Sequence, residues 1–187
     1  MIKIYPENRI IDTERLILKP FTLDDAQGLY DYAKNPDVGP RAGWKPHESV
    51  EESAEIIKTI FFKGISWVIR LNSEDRQIGS IALEFDRLRE DANSKEMGYS
   101  LAKDMWGKGI MTEAGRAVMK YGFSVLKLSQ IGICTSPTNL RSQGVIKKLG
   151  FIYEGTLRRT MKTFEGINRD SMVFSITADE FEELKIK

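Results

Sequence analysis

Hydrophobic residues recur along the chain with two different periods, and each change of period marks the boundary of a predicted element. Alternation with period two predicts strands over residues 13–21, 66–71, 77–85, 95–101, 129–135 and 169–176, and a further strand that begins at Phe151. Apolar residues at helical spacing predict helices that begin at Thr22 and Ser49, and helices over 109–126, 139–149 and 178–185. The predicted order is therefore β-α-α-β-β-β-α-β-α-β-β-α.

This order predicts a mixed α/β fold and disfavours a doubly wound nucleotide fold. The strands between residues 66 and 101 have short polar connections, at 72–76 and 86–94, which are typical of an antiparallel meander. The meander leads into a strand–helix–strand–helix–strand unit, so we expect one mostly antiparallel central sheet flanked by helices. A doubly wound fold would alternate strands and helices from its start, and this chain does not.

Composition and charge narrow the classes of function that such a fold can serve. The chain has 187 residues with 28 Lys and Arg against 27 Asp and Glu, a balance that disfavours broad binding to nucleic acid or to an anionic membrane. It contains no apolar run of the roughly 18–20 residues that span a bilayer, and no repeat or linker that would divide it. We therefore expect a single domain over residues 1–187, soluble and cytoplasmic, with neither a nucleic acid nor a membrane as partner.

One cysteine and one histidine leave little room for disulfide or metal chemistry. Cys134 has no second cysteine to pair with, and His47 is the only imidazole available as a zinc ligand. No metal is therefore expected. Cys134 falls inside a predicted strand and His47 inside a loop, so the sequence favours a buried small thiol over a Cys–His nucleophile.

The stretch Leu101–Ala114 (LAKDMWGKGIMTEA) carries the most informative chemical pattern of the chain. A strand ends there, a short loop contains Gly107 and Gly109, and the long helix begins at once. Glycines let a backbone approach a ligand closely, and the unpaired N–H groups of a helix N-terminus form a site for a phosphate or pyrophosphate. A glycine turn that binds nothing is the alternative that this spacing alone leaves open.

Neither of the common nucleotide-binding motifs fits this loop. A P-loop aligned on Gly107 and Lys108 would have Ala102 in place of its first glycine, and Gly109 in place of the Ser or Thr that holds magnesium. The dinucleotide pattern G-x-G-x-x-G also fails, because Thr112 stands where its third glycine belongs. A nucleotide-binding function is therefore disfavoured.

A polar pair lies further along the chain. Asn139 and Ser142 are three residues apart on the first turn of one predicted helix, so they face the same way. Taken alone, Asn139 is typical of a helix N-cap and Ser142 of a hydroxyl that faces solvent. The pair becomes informative only together with the other segments of the chain.

These segments occur in an order that resembles a known family. They are Thr13-Glu14-Arg15-Leu16, Trp44-Lys45-Pro46, Glu96-Met97-Gly98-Tyr99, Trp106-Gly107-Lys108-Gly109-Ile110-Met111-Thr112-Glu113-Ala114, Asn139-x-x-Ser142 and Leu149-Gly150-Phe151. In order and spacing they resemble the GNAT superfamily of acyl-CoA-dependent N-acyltransferases, and within it the RimJ/RimL-like branch of ribosomal-protein N-terminal acetyltransferases. The resemblance covers nearly the whole chain. It implies the GNAT fold, an acyl-CoA cleft at the central strands, and acetyl-CoA as co-substrate.

The resemblance also implies which residues hold the pyrophosphate of CoA. They are Trp106, Gly107, Lys108, Gly109, Ile110 and Met111, followed by Thr112 on the first turn of the helix. Gly109 matches the superfamily pattern Gln/Arg-x-x-Gly-x-Gly/Ala. Trp106 departs from that pattern but is usual in the RimJ/RimL-like branch, whereas Met111 is bulkier than the expected Gly or Ala and would narrow the loop.

The rest of the implied CoA site comes from the central strand and from the helix after it. Tyr99, Ser100 and Leu101 would pair with the pantetheine amides, which would add a short strand to the sheet. Asn139 would hydrogen-bond the pantetheine arm. Lys147 is a candidate for a contact with a CoA phosphate.

The reaction implied by the resemblance is direct attack of a neutral amine on the thioester carbonyl. Ser142 would lie near the sulfur as the acid for the departing thiolate. Glu96, or Glu84 on the neighbouring strand, could deprotonate the amine through water, although the sequence favours a solvent-facing carboxylate or an ion pair for each. An α-amine, with a pKa of ~7.7–8.0, needs less help from a base than a lysine at ~10.4, and this favours α-amines as acceptors.

The acceptor depends on two segments that the sequence predicts to be loops, residues 34–48 and the hairpin near 161–168, with Trp44 as a candidate wall. The leading hypothesis is the N-terminal α-amine of a ribosomal or other protein. A small amine, such as a polyamine, an amino acid or an antibiotic, is an alternative. So is a non-catalytic acyl-CoA-binding module. Analogy with the branch suggests a monomer or a homodimer.

Overall fold

The computed structural model describes residues 2–184, in which nine strands form one sheet with helices on both faces. The strands are β1 (Lys3–Tyr5), β2 (Ile10–Asp12), β3 (Leu16–Pro20), β4 (Ile65–Leu71), β5 (Glu74–Phe85), β6 (Ser94–Leu101), β7 (Gln130–Thr135), β8 (Ile152–Lys162) and β9 (Asn168–Thr177). The helices are α1 (Ala26–Ala33), α2 (Gly39–Ala42), α3 (Val50–Thr59), α4 (Ile110–Ser124), α5 (Leu140–Leu149) and α6 (Ala178–Leu184). Residue 185, the predicted end of the last helix, lies outside the described residues.

The sheet is antiparallel at every pair of neighbouring strands except one. Its spatial order is β1-β2-β3-β4-β5-β6-β7-β9-β8, and only β6 and β7 run parallel. The predicted mixed, mostly antiparallel sheet flanked by helices is therefore confirmed. The meander expected from the short polar connections is β4–β5–β6, with antiparallel ladders on both sides of β5.

Some pieces of structure differ from the sequence prediction. Strands β1 and β2 span three residues each, too few for an alternation to stand out, and β2 is held by pairing with β3. The first predicted strand is shorter than expected, Leu16–Pro20 in place of 13–21. Helix α2 lies inside the segment that was predicted to be a loop. Its Gly39 and Pro40 have low helix propensity, so the sequence does not predict this helix.

The helix ends follow local capping chemistry. Ser49 Oγ accepts a hydrogen bond from the Glu52 backbone N–H at 3.1 Å, as expected for the N-cap of α3. The pair Ser49 and Glu52 has the spacing of a capping box, but the Glu52 carboxylate accepts from the N–H of Glu48 and not from that of Ser49. At the other end of the chain, Gly150 ends α5 in the left-handed conformation, with φ of +86°.

Helices α1 and α4 pack on opposite faces of the central strands. On one face, the Tyr32 hydroxyl of α1 lies 3.2 Å from Ser80 Oγ on β5. On the other face, Tyr121 of α4 meets the fully buried Trp67 of β4 edge-on, with ring centroids 5.2 Å apart. The central strands are therefore packed on both sides, and this fixes the position of β6 beside the site described below.

Strands β6 and β7 separate after a short ladder. Residues 94–96 of β6 pair with residues 130–132 of β7, and the pairing stops there although β6 continues to Leu101. Beyond Glu96, the β7-facing edge of β6 therefore has no strand beside it within residues 2–184. The sheet opens at this point into a V.

The open edge presents backbone groups of alternate residues. Ala102 N–H donates to the Ile78 carbonyl of β5 at 2.8 Å, which sets the phase of the antiparallel β5–β6 ladder. By the alternation of that ladder, Met97, Tyr99 and Leu101 turn their N–H and C=O groups away from β5 and toward the open edge. This edge is available to a ligand that hydrogen-bonds as a strand does.

Candidate active site

Two cavities meet at the open edge of β6. One, of about 290 Å³, lies between β6, the loop that follows it and α5, and is called the groove below. The other, of about 490 Å³, lies between the central strands, α2, α3 and the β8–β9 hairpin, and is called the chamber. Tyr99, Ser100, Asn139 and Ser142 line both cavities. A ligand that fills the groove therefore reaches the chamber at these residues.

The loop between β6 and α4 needs its glycines for their backbone conformation. Gly107 and Gly109 have φ angles of +77° and +75°, in the left-handed region that side chains disfavour. Space is not the constraint, because a β-carbon on Gly109 would come no closer than 3.6 Å to Arg15 Nη2. Gly109 is the N-cap of α4, so the unpaired N–H groups of the first helical turn begin directly after the loop.

A network around Glu113 supports this loop. The Glu113 carboxylate accepts from Thr13 Oγ1 at 2.6 Å, from Arg15 N–H at 2.9 Å and from Arg15 Nε at 2.6 Å. Arg15 Nη1 donates in turn to the Lys108 carbonyl at 2.9 Å. Burial opposes ionisation of Glu113, but the hydrogen bonds from Thr13 and Arg15 outweigh it and hold the pKa of Glu113 below its ordinary value. The Thr13–Arg15 segment therefore stabilises the loop, although the two are far apart in the sequence.

Most residues predicted for the CoA site line the groove, and two do not. Those that line it are Tyr99, Ser100, Leu101, Trp106, Gly107, Gly109, Ile110, Met111, Thr112 and Asn139, and the predicted acid Ser142 lines it too. Lys108 contributes its carbonyl to Arg15 and is not part of the lining. Lys147 is not part of it either, whereas its neighbour Lys148 is. Successive residues of a helix point about 100° apart, so a contact with a ligand in the groove favours Lys148.

Trp106 joins the loop to the end of β6. Its indole Nε1–H donates to the Leu101 carbonyl at 2.9 Å, so this carbonyl is already engaged and only the Leu101 N–H is left on the open edge. The guanidinium of Arg141, at the start of α5, lies 4.8 Å from the Trp106 ring centroid. The Trp106 side chain thus links both walls of the groove.

The junction of the groove and the chamber is a pair of hydroxyl groups. Tyr99 Oη lies 2.9 Å from Ser142 Oγ, within hydrogen-bond distance. Asn139 Oδ1 accepts from the Ser142 backbone N–H at 3.2 Å, so Asn139 is an N-cap and at the same time fixes the position of Ser142. Burial raises the pKa of Tyr99 to about 12, so its phenol is protonated at neutral pH.

Two carboxylates lie side by side in the chamber. Glu84 of β5 and Glu96 of β6 are register partners, and both line the cavity. Glu96 forms a two-pronged ion pair with Arg87, with Nη2 to Oε1 at 3.1 Å and Nε to Oε2 at 3.2 Å. Glu84 has no such partner among residues 2–184. Its side chain is exposed at the cavity, yet partial desolvation there, followed by repulsion from Glu96, raises its pKa. Glu84 is therefore better suited than Glu96 to accept a proton.

Cys134 lines the chamber beside these carboxylates and is a protonated thiol. Burial, with a further contribution from the charge of Glu96, raises the pKa of Cys134 to about 12. Because the thiolate is the nucleophilic form, this environment suits a small packing residue. The interpretation of Cys134 as an inert thiol agrees with its surroundings.

The two segments that the sequence assigned to the acceptor end meet above the chamber. Phe164 N–H of the β8–β9 hairpin donates to the Gly43 carbonyl at 3.0 Å. Arg169 Nη1 donates to the Arg41 carbonyl at 3.1 Å. Trp44 lines the cavity, as expected. The hairpin and α2 thus form a roof over the chamber.

Several site residues escaped the sequence analysis because no local pattern marks them. Arg141 and Lys148 line the groove, Arg169 lines the chamber, and Arg41 lines both cavities. A basic residue in a mixed-charge chain carries no signal of its own. The proximity of Arg141 to Asn139 is the one cue that pointed to any of them.

Residues 2–184 lack two further features. No group of three or more His, Cys, Asp and Glu side chains is arranged to hold a metal ion in this part of the chain. No helix there has the length and apolar character needed to cross a membrane.

Comparison with known proteins gives independent evidence on the family. Residues 15–152 match the family model described as Acetyltransferase (GNAT) domain. The uncharacterized N-acetyltransferase YoaA of Bacillus subtilis is 33% identical over 172 residues, which cover 89% of this chain and 96% of that protein. The ribosomal protein uS5-alanine N-acetyltransferase of Escherichia coli is 25% identical over 184 residues, which cover 91% of this chain and 92% of that protein. The structure of Mycobacterium smegmatis RimJ in complex with CoA-disulfide has a TM-score of 0.72 at 24% identity, covering 88% of this chain and 83% of that one.

The sheet that opens between β6 and β7, next to a left-handed glycine loop at a helix N-terminus, agrees with the class of N-acetyltransferases that the comparisons indicate. The chain belongs to the GNAT acetyltransferase family, whose model matches well over half of its length. The protein is an N-acetyltransferase of this type, and its resemblance to the RimJ-like members is confirmed.

Proposed function

We propose that this N-acetyltransferase transfers the acetyl group of acetyl-CoA to the α-amine at the N-terminus of a polypeptide. The observation that carries the proposal is the junction at Tyr99 and Ser142, where the groove and the chamber approach the same hydroxyl pair from two sides. Residues 1–187 act as one acetyltransferase domain, in the cytoplasm, where acetyl-CoA and new polypeptides occur together.

The residues present fit acyl-CoA. The open-edge backbone groups of Met97 and Tyr99 match the amides of a pantetheine arm, which binds as an added strand. The left-handed loop at Gly107 and Gly109, with the N-terminus of α4, suits a pyrophosphate. Lys148 adds a cation to the same groove. Acetyl-CoA, when bound, supplies the thioester that is the acetyl donor.

The chain's own residues then move two protons. Glu84 accepts, through water, the proton that the attacking amine loses, because its carboxylate has no cation of its own and its pKa is raised. Glu96, held by Arg87, keeps a fixed negative charge next to it. Ser142 Oγ donates a proton to the departing sulfur while Tyr99 Oη hydrogen-bonds Ser142. A backbone N–H of the open edge stabilises the developing oxyanion.

Two observations support an N-terminal α-amine. An α-amine is partly neutral near neutral pH, so one unpaired carboxylate provides enough base. The similar E. coli enzyme is named for an alanine of a ribosomal protein. A small amine is the second candidate, because the roof encloses the chamber and its volume of about 490 Å³ is that of a small-molecule site.

Calorimetry and an acceptor screen test this function. Isothermal titration with acetyl-CoA, CoA and ATP should show micromolar binding of both CoA forms and none of ATP. Acetylation of a library of short peptides, compared with polyamines, amino acids and amine antibiotics, then identifies the acceptor. Absence of CoA binding would refute the function. Binding without acetylation of any amine would favour the non-catalytic module.

A further inference from the structure

The chamber contains a cation without an anionic partner. No carboxylate in the described part of the chain lies within ion-pair distance of the Arg169 guanidinium, which instead contacts the Arg41 carbonyl and, at 3.0 Å, Met161 Sδ, with a long 3.5 Å contact to the Pro40 carbonyl. Its Nε–H is buried and has no hydrogen-bond acceptor among residues 2–184. Since a guanidinium carries five N–H donors, part of its capacity is unused.

An unpaired cation in this position calls for an explanation. Burial lowers the pKa of Arg169, yet an arginine keeps its charge in proteins. Arg169 is half-buried, and charges that are withdrawn from water in folded proteins are normally paired. Arg169 lies on the wall of a cavity that opens to the catalytic hydroxyls. A bound molecule that supplies the anion accounts for both the missing partner and the location.

Negative and positive side chains lie at opposite ends of the chamber. Glu84 and Glu96 lie on the central strands, and Glu96 neutralises Arg87. Arg169 and Arg41 lie at the roof, and Arg41 forms no ion pair within the described chain. A molecule with an amine at one end and an anion at the other therefore matches the chamber.

We propose that the acceptor carries a carboxylate close to its reacting amine, and that Arg169, assisted by Arg41, binds this carboxylate. The inference rests on the proposed acetyl transfer to an amine. A guanidinium grips a carboxylate with two parallel hydrogen bonds, which orients the molecule as well as holding it. The acceptor is then an N-terminus with Asp or Glu at its first or second residue. A free amino acid shares this chemistry through its α-carboxylate.

Matched acceptors test the inference on the unmodified enzyme. One pair of peptides differs only by glutamate or glutamine at the second residue, a second pair by aspartate or asparagine at the first, and a third pair is alanine and alaninamide. We expect kcat/KM to be roughly tenfold to a hundredfold higher for a carboxylate member than for its amide partner, the range of a hydrogen-bonded charge. Preference within the peptide pairs identifies a polypeptide acceptor, and preference confined to the third pair identifies a free amino acid.

Variants test whether the arginines cause the preference for carboxylate acceptors. Arg169→Met should remove most of this preference, mainly through KM, and Arg169→Lys should retain part of it. Arg158→Gln, on the same hairpin but outside both cavities, should leave the preference unchanged. Arg41→Gln, at an exposed position, serves as a second variant if Arg169→Met fails to fold, as judged by acetyl-CoA affinity.

The outcomes distinguish a failure of this inference from a failure of the proposed function on which it rests. Acetylation of carboxylate and amide acceptors at equal rates, or a preference that survives both Arg169→Met and Arg41→Gln, would overturn the inference alone. Failure to acetylate any amine, with acetyl-CoA bound, would overturn the proposed function together with it.

Discussion

The groove and the chamber meet at Tyr99 and Ser142 but are built in different ways. The groove takes most of its wall from one continuous stretch, residues 99–112, and from the first turns of α5. The chamber takes its lining residues from α1, α2, α3, three central strands and the β8–β9 hairpin, which are far apart in the sequence.

This difference separates two tasks of the enzyme. A ligand bound through backbone N–H groups and a glycine conformation constrains the sequence locally, so the groove, which we propose holds the common co-substrate, has a recognisable motif. A cavity of distant side chains can change one residue at a time without disturbing that motif. We therefore expect substitutions in the groove to abolish acetyl-CoA binding, and substitutions in the chamber to change rate and acceptor preference while the co-substrate still binds.

The largest effect is expected from Gly109→Val. A branched side chain is strained at φ of +75° and must distort the loop, so acetyl-CoA affinity measured by calorimetry should fall by about a hundredfold or more. Gly166→Val is the matched control, because Gly166 has φ of +80° but lines neither cavity, and acetyl-CoA affinity should persist there. Equal losses in the two variants would mean that the loop has no special role.

Ser142→Ala tests the junction itself. We expect kcat to fall by about a hundredfold or more, with acetyl-CoA affinity nearly unchanged, because proton donation to sulfur is needed only in the transition state. Tyr99→Phe should cost less, and the double variant should cost less than the sum of the two because the hydroxyls act together. A parallel loss of kcat and affinity would make Ser142 a binding residue.

Glu84→Gln tests the proposed role of Glu84 as the base, through the pH dependence of kcat/KM. As the pH falls, protonation of the amine lowers kcat/KM with the first power of the proton concentration. Below the raised pKa of Glu84, this base is also protonated, so kcat/KM falls with the second power of the proton concentration. Glu84→Gln should remove the second power and lower the plateau about tenfold, while leaving acetyl-CoA affinity intact.

Two further variants check whether Glu84 causes the steeper fall of kcat/KM at low pH. Glu96→Gln removes the neighbouring negative charge, so the pKa of Glu84 should fall and the steeper limb should move to lower pH. Glu55→Gln on α3, outside both cavities, should change nothing. A profile of Glu84→Gln that matches the unmodified enzyme would exclude Glu84 as the base.

The smallest effect is expected from Arg15→Met, which removes the support of the loop without touching the groove. Loss of the hydrogen bonds to Glu113 and to the Lys108 carbonyl should weaken acetyl-CoA binding only a few-fold, or about 1 kcal/mol. Lys58→Met, at an exposed ion pair on α3, is the control for the loss of a surface charge. Affinity of Arg15→Met equal to that of the control would show that the loop holds its shape alone.

The features that were predictable share a local origin. The long helix α4, the positive-φ glycine before it and the Asn139 N-cap each depend on residues adjacent in the chain, and each lies where the pattern indicated. The three-residue strands β1 and β2 escaped, because their stability comes from pairing along a sheet and not from their own sequence.

The choice of base shows where local evidence ends. The sequence placed Glu96 and Glu84 on neighbouring strands and favoured Glu96. The structure pairs Glu96 with Arg87 and leaves Glu84 without a cation, a distinction that depends on the conformation of the turn after β5. A carboxylate's pKa follows from its burial and from the charges beside it, and neither is visible in a one-dimensional pattern.

The sequence by itself determined the order of the longer elements, the glycine loop and the family, because backbone conformation and helix capping are set by short-range interactions, whereas β1, β2 and α2 were missed. Only the tertiary structure decided which cations are left unpaired, which lysine of α5 faces the groove and how the roof closes over the chamber. Arg169 becomes noticeable only once the structure shows that its buried Nε–H has no acceptor in the described part of the chain. Electrostatic pairing is a property of positions in space, and the fold alone assigns those positions.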